Sequence, residues 1–313
     1  MPARRVAAID CGTNSIRLLI ADIDPSRSQL TDIARLMEIV RLGEGVDKTG
    51  LLAEAAIERT ITALRGYAGL ITEHGAQAVR MVATSASRDA GNADDFTRRV
   101  KEVLGVEPEV VTGDEEAALS FTGATGELTG ASDAPFLVTD IGGGSTEFVV
   151  GPTDAPATAA PHMSVDIGCV RLTERYLHSD PPLAGEIAAT TGDIDAALDQ
   201  VAARVPVTEA RTLVGLAGSV TTIAAIALDL DHYDSERVHH SRVPAARVRE
   251  IAERLLAQTR AQRAAIPVMH PGRVDVIGAG ALILDRIMTR FGFAEVLVSE
   301  HDILDGIAWS LAE

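Results

Sequence analysis

Two glycine-rich turns, each entered through an aspartate, are where residue types and spacing in this sequence first point to chemistry. AAIDCGTNSIRLLI (residues 7–20) and LVTDIGGGSTEFVV (residues 137–150) align without gaps. In each, an apolar run ends in Asp (Asp10, Asp140), a turn of small residues closes on Ser (Ser15, Ser145), and a second apolar run follows. Gly12, Thr13, Asn14 and Ser15 let backbone N–H groups and hydroxyls approach a phosphate oxygen, and Gly142, Gly143, Gly144 and Ser145 offer the same. Asp10 and Asp140 suit a Mg²⁺ ion held through one or two carboxylates plus water and phosphate oxygens, with Mn²⁺ as the alternative ion. A single hairpin of this kind reads as an ordinary turn that needs glycine for positive φ. Two of them, each opening its half of the chain, favour a duplicated phosphate-binding fold.

Other segments supply acids, bases and anion ligands. In VVTGDEEAALSF, Thr112 and Glu115 have capping-box spacing, so acids there are favoured by the helix N-terminus alone. One of Glu115 and Glu116, turned inward, would serve as general base on a water, and the residues leave the choice between them open. Glu147 lies among apolar strand residues, where it either assists a metal and an attacking water or faces solvent. Thr84, Ser85 and Arg88 of MVATSASRDA follow a strand and resemble an anion site, with a helix cap and a surface Arg as the plainer reading. GLAGSVTTIAA (residues 215–225) places Gly218 and Ser219 at a helix N-terminus fit for a phosphate. VIGAGALIL lacks the third glycine of a dinucleotide fingerprint and reads as a buried helix whose glycines admit a neighbour. His239 and His240 sit in a polar stretch and are expected to be exposed, while His162, His270 and His301 lie singly. There is no H-E-x-x-H, paired C-x-x-C, G-x-x-x-x-G-K-[ST] or G-x-S-x-G, which sets aside zinc and serine-hydrolase chemistry.

The elements that must hold these residues alternate in type. A strand–turn–strand at residues 6–23 and a strand at 32–42 lead into a helix at 53–73, a strand at 78–83, a helix at 94–104, a short strand at 109–111 and a helix opening near Asp114. A second round follows: strand–turn–strand at 136–150, a strand at 158–166, helices at 170–177 and 184–203, and a strand at 212–216. Helical segments at 221–228, 245–263 and 273–289, a strand at 295–299 and a last helix from Ile303 complete it. This is an α/β pattern. Residues 125–134, rich in Gly, Thr, Ser and Asp, read as a link between domains at 1–124 and 125–299, with a terminal helix at about 300–313 returning to the first.

The chain has 313 residues, 46% of them hydrophobic, and only 3% aromatic, so its cores must be built from Ala, Val, Leu and Ile. A net charge of −17 argues against general nucleic-acid binding, which depends on neutralising phosphates with Lys and Arg. No apolar run approaches the roughly 20 residues of a membrane span, and the apolar stretch at the start is cut by Asp10, unlike a signal peptide. Cys11 and Cys169 show no ligand spacing and read as reduced thiols, pointing to the cytoplasm.

DCGTNSIRLLI, VRLGEGV, ATSASRDA, TGDEEA, VTDIGGGSTEFVVG, GCVRLTE and AGSVTTIAA occur in this order. Together they resemble the exopolyphosphatase/guanosine pentaphosphate phosphatase family, a branch of the superfamily of sugar kinases, heat-shock chaperone ATPases and actin, over essentially the whole chain. The resemblance implies two ribonuclease H-like, actin-like ATPase domains around a central cleft and Mg²⁺-assisted attack of water on a terminal phosphoryl group. It places the catalytic base at Glu116, the metal carboxylate at Asp140 with Glu147 as partner, the phosphate loops at Gly12 to Ser15 and Gly142 to Ser145, and a phosphate ligand at Arg88. Arg171 of GCVRLTE is either a ligand or an interface residue. The substrate implied is inorganic polyphosphate, with the guanosine pentaphosphate pppGpp as the alternative and a phosphotransferase or non-catalytic sensor beyond that. A homodimer is expected. Long members carry a further helical region, and the expectation without it is a preference for shorter chains. Where many members have Arg–Glu–Gly, this chain has Leu304, Asp305 and Gly306.

Overall fold

The computed structural model describes residues 4–27, 29–126, 128, 134–152 and 160–312, so most of the proposed link at 125–134 and the start of the strand proposed at 158–166 lie outside the described residues. The chain divides into one unit of residues 1–123 with 303–313 and a second of residues 124–302.

In the first unit the order is β1 (Arg4–Cys11), β2 (Ser15–Asp24), β3 (Gln29–Ile39), α1 (Val46–Thr49), α2 (Glu54–His74), β4 (Ala78–Ala83), α3 (Ser85–Asp89), α4 (Ala93–Leu104), β5 (Glu109–Val110) and α5 (Gly113–Thr125). The sheet runs β3-β2-β1-β4-β5, antiparallel across the first three strands and parallel from β1 to β5. That is the ribonuclease H-like arrangement. Alternation along β1 sorts its side chains between two cores: Ala7, Ile9 and Cys11 pack with α2 and α4, and Val6 and Ala8 pack with α5 and the last helix. Asp10 continues the second set. Ile57, Ile61, Leu64, Tyr67 and Ile71 recur every three or four residues, which gives α2 the buried stripe it lays on the sheet.

The second unit holds β6 (Phe136–Ile141), β7 (Thr146–Gly151), β8 (His162–Val165), α6 (Cys169–Tyr176), α7 (Ala184–Arg204), β9 (Thr212–Leu216), α8 (Ala217–Ala227), α9 (Ser235–Val238), β10 (Arg242–Pro244), α10 (Ala245–Ala257), α11 (Arg260–Ala264), α12 (Ile277–Phe291) and β11 (Glu295–Val298). Its sheet runs β10-β11-β9-β6-β7-β8 and repeats the antiparallel β6-β7-β8 and parallel β6-β9-β11 pattern. The helix expected at 245–263 is two helices, because Thr259 accepts from the Gln262 amide and starts a new one with a capping box. The chain then enters the first unit again as α13 (Ile303–Ser310), whose Gly306 lies so close to α5 that a Cβ would sit 2.0 Å from the Leu119 carbonyl oxygen.

Candidate active site

In each unit the candidate residues gather at the carboxyl ends of parallel strands, the usual place for ligands in open α/β sheets. Three such ends meet in the first unit. Asp10 and Cys11 finish β1, and the turn that follows is closed by the Gly12 amide donating to the Ser15 carbonyl at 2.9 Å. Thr84, just past β4, donates its amide to the Cys11 carbonyl at 3.2 Å, and the Thr13 and Ser85 hydroxyls share a hydrogen bond of 2.8 Å. Past β5, Thr112 caps α5 by accepting from the Glu115 amide at 3.2 Å.

That cap separates the two glutamates that the sequence leaves open. Glu115 points outward, about half exposed, and pairs with Arg80 at 2.9 Å. Glu116 points inward, 8% exposed, and accepts from Arg88 at 3.3 Å. Arg88, from the short helix α3, also donates to the Val111 carbonyl at 3.0 Å, which fixes its guanidinium beside Glu116. The structure therefore brings Glu116 and Arg88 together and turns Glu115 to the surface.

The turn of the second unit repeats the first in detail. Gly142 donates its amide to the Ser145 carbonyl at 3.1 Å. Gly12 and Gly142 both lie outside the left-handed region, so positive φ is not what requires them. At Gly142 the reason is space, since a Cβ would stand 3.0 Å from the Ser145 carbonyl oxygen. The carbonyls of both turns are drawn backward. Gly142 and Gly143 accept from the amides of Cys169, Val170 and Arg171 at the start of α6, and Gly144 accepts from Arg171 Nε at 2.7 Å. In the first unit Thr13 accepts from the Gly43 amide and Asn14 from those of Val40 and Arg41. Across a trans peptide the carbonyl of one residue and the amide of the next point in opposite directions. The amides of Gly143, Gly144 and Ser145 are thus turned away from α6 in succession, as are those of Asn14 and Ser15 from residues 40–43. Successive amides aimed one way make an anion-binding concavity.

The acids beside these turns differ. Asp140 stands directly opposite Glu147 in the β6–β7 ladder, so their side chains share a face of the sheet, the face away from Leu137, Ile141, Phe148 and Val150 of the main core. They are 7% and 1% exposed, which overturns the solvent-facing alternative for Glu147, and Ser164 donates to Glu147 Oε1 at 2.7 Å. Like charges directly opposite one another are destabilising, and burial multiplies the cost. Two oxygen-only ligands on one face fit a hard divalent ion that keeps water and phosphate oxygens in its remaining positions. Among the described residues no group of three or more His, Cys, Asp or Glu gathers as a metal cluster. Asp10, in contrast, receives Arg17 at 2.6 Å from the opposite strand.

Gly218 and Ser219 open α8 at the end of β9, behind Ala217, whose φ of 67° is strained for a residue with a Cβ. The Arg273 guanidinium lies across Gly218, within 2.1 Å of where a Cβ would be, and donates to Thr222 Oγ1 at 3.1 Å. Ser219 packs against Gly280 of α12, which has room for it only because it lacks a side chain. Sequence reasoning missed Arg273, Ser164 and Arg17. Only Arg17 carried a signal, since it occupies the aligned position of Glu147. The expectation for His239 and His240 is also corrected: both are half-buried, stacked on each other at 3.7 Å with His239 4.7 Å from His301, and the Glu300 amide donates to His239 Nδ1. Asp305, of the Leu304–Asp305–Gly306 run, is buried and paired with Arg35 at 2.5 Å.

Both cysteines are buried, and burial raises each thiol above its ordinary range, so neither is poised as a nucleophile. Among the described residues no helix is long and apolar enough to cross a membrane.

Residues 19–313 match the model of the Ppx/GppA phosphatase family. The chain is 53% identical over 323 aligned positions, covering all of both chains, to Exopolyphosphatase 2 of Mycobacterium tuberculosis. Its fold matches a crystal structure of an exopolyphosphatase-like protein with a TM-score of 0.92 and 41% identity over 98% of each chain. The Aquifex aeolicus Ppx/GppA family member matches with a TM-score of 0.80 and 30% identity, over 99% of this chain and 98% of that one.

Proposed function

Because this chain belongs to the Ppx/GppA phosphatase family, we propose that it is an exopolyphosphatase, releasing the terminal phosphate of inorganic polyphosphate by attack of water. The observation that carries the reading is the pairing of Asp140 with Glu147 beside three successive outward-turned amides: a seat for a cation next to a cradle for phosphate. Mg²⁺, with Mn²⁺ as its substitute, would be held at Asp140 and Glu147, where it supplies charge to offset that developing on phosphate oxygens. The chain's own groups do the rest. Amides of Gly143, Gly144 and Ser145 and of Asn14 and Ser15 bind phosphate oxygens, and the Gly218–Ser219 helix start adds further donors. Glu116 accepts the proton of the attacking water as its oxygen bonds to phosphorus and the bridging oxygen leaves with the shortened chain. Arg88 orients the Glu116 carboxylate through their ion pair and presents charge to the equatorial oxygens. The protein would act in the cytoplasm as a homodimer, which sedimentation of the purified chain checks.

The deciding measurement is initial-rate phosphate release from short polyphosphate, long polyphosphate and pppGpp, each with Mg²⁺, with Mn²⁺ and with EDTA. Polyphosphate should be hydrolysed at least about tenfold faster than the nucleotide, a difference of about 1.4 kcal/mol in barrier, and EDTA should abolish release. Preference for the nucleotide would make the pppGpp phosphatase reading the correct one. Phosphate appearing on ADP instead of free in solution would make the chain a phosphotransferase.

A further inference from the structure

The two glycine hairpins share strand register, turn closure and an aspartate at the same offset, and their charges differ at one aligned position. Opposite Asp10 stands Arg17; opposite Asp140 stands Glu147. The Arg17 guanidinium donates from Nε at 2.9 Å and from its terminal nitrogen at 2.6 Å to the same oxygen, Asp10 Oδ2. This is no surface pair: the aspartate side chain is 4% exposed and the arginine 20%. Asp10 lies on the sheet face covered by α5 and α13, where Val6 and Ala8 precede it, so its charge is held in apolar surroundings and requires a partner.

We propose that Arg17 is a resident cation: it does for Asp10 what a divalent ion does for Asp140, so the chain takes a metal ion at the second hairpin and none at the first. This rests on the reading of Asp140 and Glu147 as the cation's seat. It revises the assignment of Asp10 as a metal ligand. A guanidinium is always charged and cannot be diluted away, so the first turn keeps a neutralised carboxylate at any metal concentration. A phosphate approaching the amides of Asn14 and Ser15 then meets no uncompensated negative charge behind them. Arg17 is on this view a positioning residue, acting through Asp10.

The test counts ions. Mn²⁺ is titrated into the full-length chain without substrate, and free Mn²⁺ is followed by electron paramagnetic resonance. The native chain should bind about one ion, and Arg17→Glu, which recreates the acid pair of the second hairpin in the first, should bind about two. Arg17→Lys should stay at about one, because the charge is kept. Melting is recorded on the same samples: Arg17→Glu should melt lower than native without metal and recover when Mn²⁺ is added. Should Arg17→Glu fail to fold, Arg17→Met serves, with its melting expected to fall and the further change Asp10→Asn expected to restore it. A folded Arg17→Glu that binds no second ion, or an Arg17→Met loss that Asp10→Asn leaves uncorrected, would overturn the proposal while leaving the seat at Asp140 intact. A native chain that binds two ions would overturn it as well. A native chain that binds none would remove the seat itself, and this inference with it.

Discussion

Replacing Glu116 by Gln is the change that isolates the proposed base. The amide has the shape of the carboxylate, and its oxygen can still accept from Arg88, now at 3.3 Å from Glu116, while Arg88 keeps its bond to the Val111 carbonyl. The fold therefore exchanges a hydrogen bond charged on both sides for one charged on the donor side alone, a cost of about 1 kcal/mol. Chemistry loses much more. A positioned general base contributes about 10²–10⁴ in rate, or about 3–5 kcal/mol of barrier, and the amide cannot take a proton from water. With KM governed by the phosphate cradles, the loss should fall on kcat. Glu115→Gln is the internal control, one residue away on the same helix turn but about half exposed and paired with Arg80. Breaking so exposed a pair costs about 0.5 kcal/mol or less and should leave kcat within about twofold. The assay is initial-rate phosphate release over a range of polyphosphate concentrations, with urea unfolding of both variants alongside. If Glu116→Gln keeps kcat within about tenfold of native while folding normally, or if Glu115→Gln falls as far, the assignment of the base is refuted.

Gly168→Ala should disable the second cradle, since the new methyl would lie 2.3 Å from the Gly143 carbonyl oxygen and 2.5 Å from the Gly144 nitrogen, against backbone that has no room to yield. A stability loss of about 1–3 kcal/mol by urea unfolding is expected together with a raised KM, and a native-like KM would show that the cradle does not bind substrate. The buried thiols predict alkaline weakening. Burial, then the nearby Asp10, raises Cys11, so the folded chain keeps a proton that the unfolded chain releases near 9.0. Stability is full below that value and falls as pH rises past it, by up to about 1.4 kcal/mol per pH unit for each such thiol. Urea unfolding at pH 8, 9 and 10 should show a shallower decline in Cys11→Ala than in the native chain, and equal slopes would exclude the thiol as the cause.

Much of the frame was legible because it is written in local patterns. The alternation of apolar runs located β1, β2, β6 and β7, and small residues after an aspartate located both turns. What failed to read was set by contacts distant in sequence. The Thr259 cap divides a continuous apolar periodicity at 245–263, and a capping box is visible in the letters only once a helix end is suspected there. Glu115 and Glu116 are equivalent as text. They differ because Arg80 from β4 and Arg88 from α3 wait on different sides of α5. Arg273 reaches Thr222 across fifty-one positions, and nothing near either residue announces the other. The histidines read as exposed from their polar neighbours, whereas His239 is half-buried and accepts from the Glu300 amide, sixty-one residues on.

The two turns show how one geometry is reached from unlike sequences. In the first unit the carbonyls are held by amides of residues 40–43, where Gly43 is obligatory because a Cβ would collide with Thr13 at 2.3 Å. In the second they are held by the start of α6, where Gly168 is obligatory for the same kind of reason against Gly143. Each clamp lies directly after the third strand of its sheet, so the topology places it, and only the glycine of closest approach is common to both. Duplication thus preserves the backbone device that aims amides outward. The side chains on the neighbouring strand are left to differ, with an arginine in one copy and a glutamate in the other. On the proposed metal-assisted reading, the arginine neutralises the buried carboxylate within the first unit, whereas the glutamate of the second would share with Asp140 the ion that offsets phosphate charge.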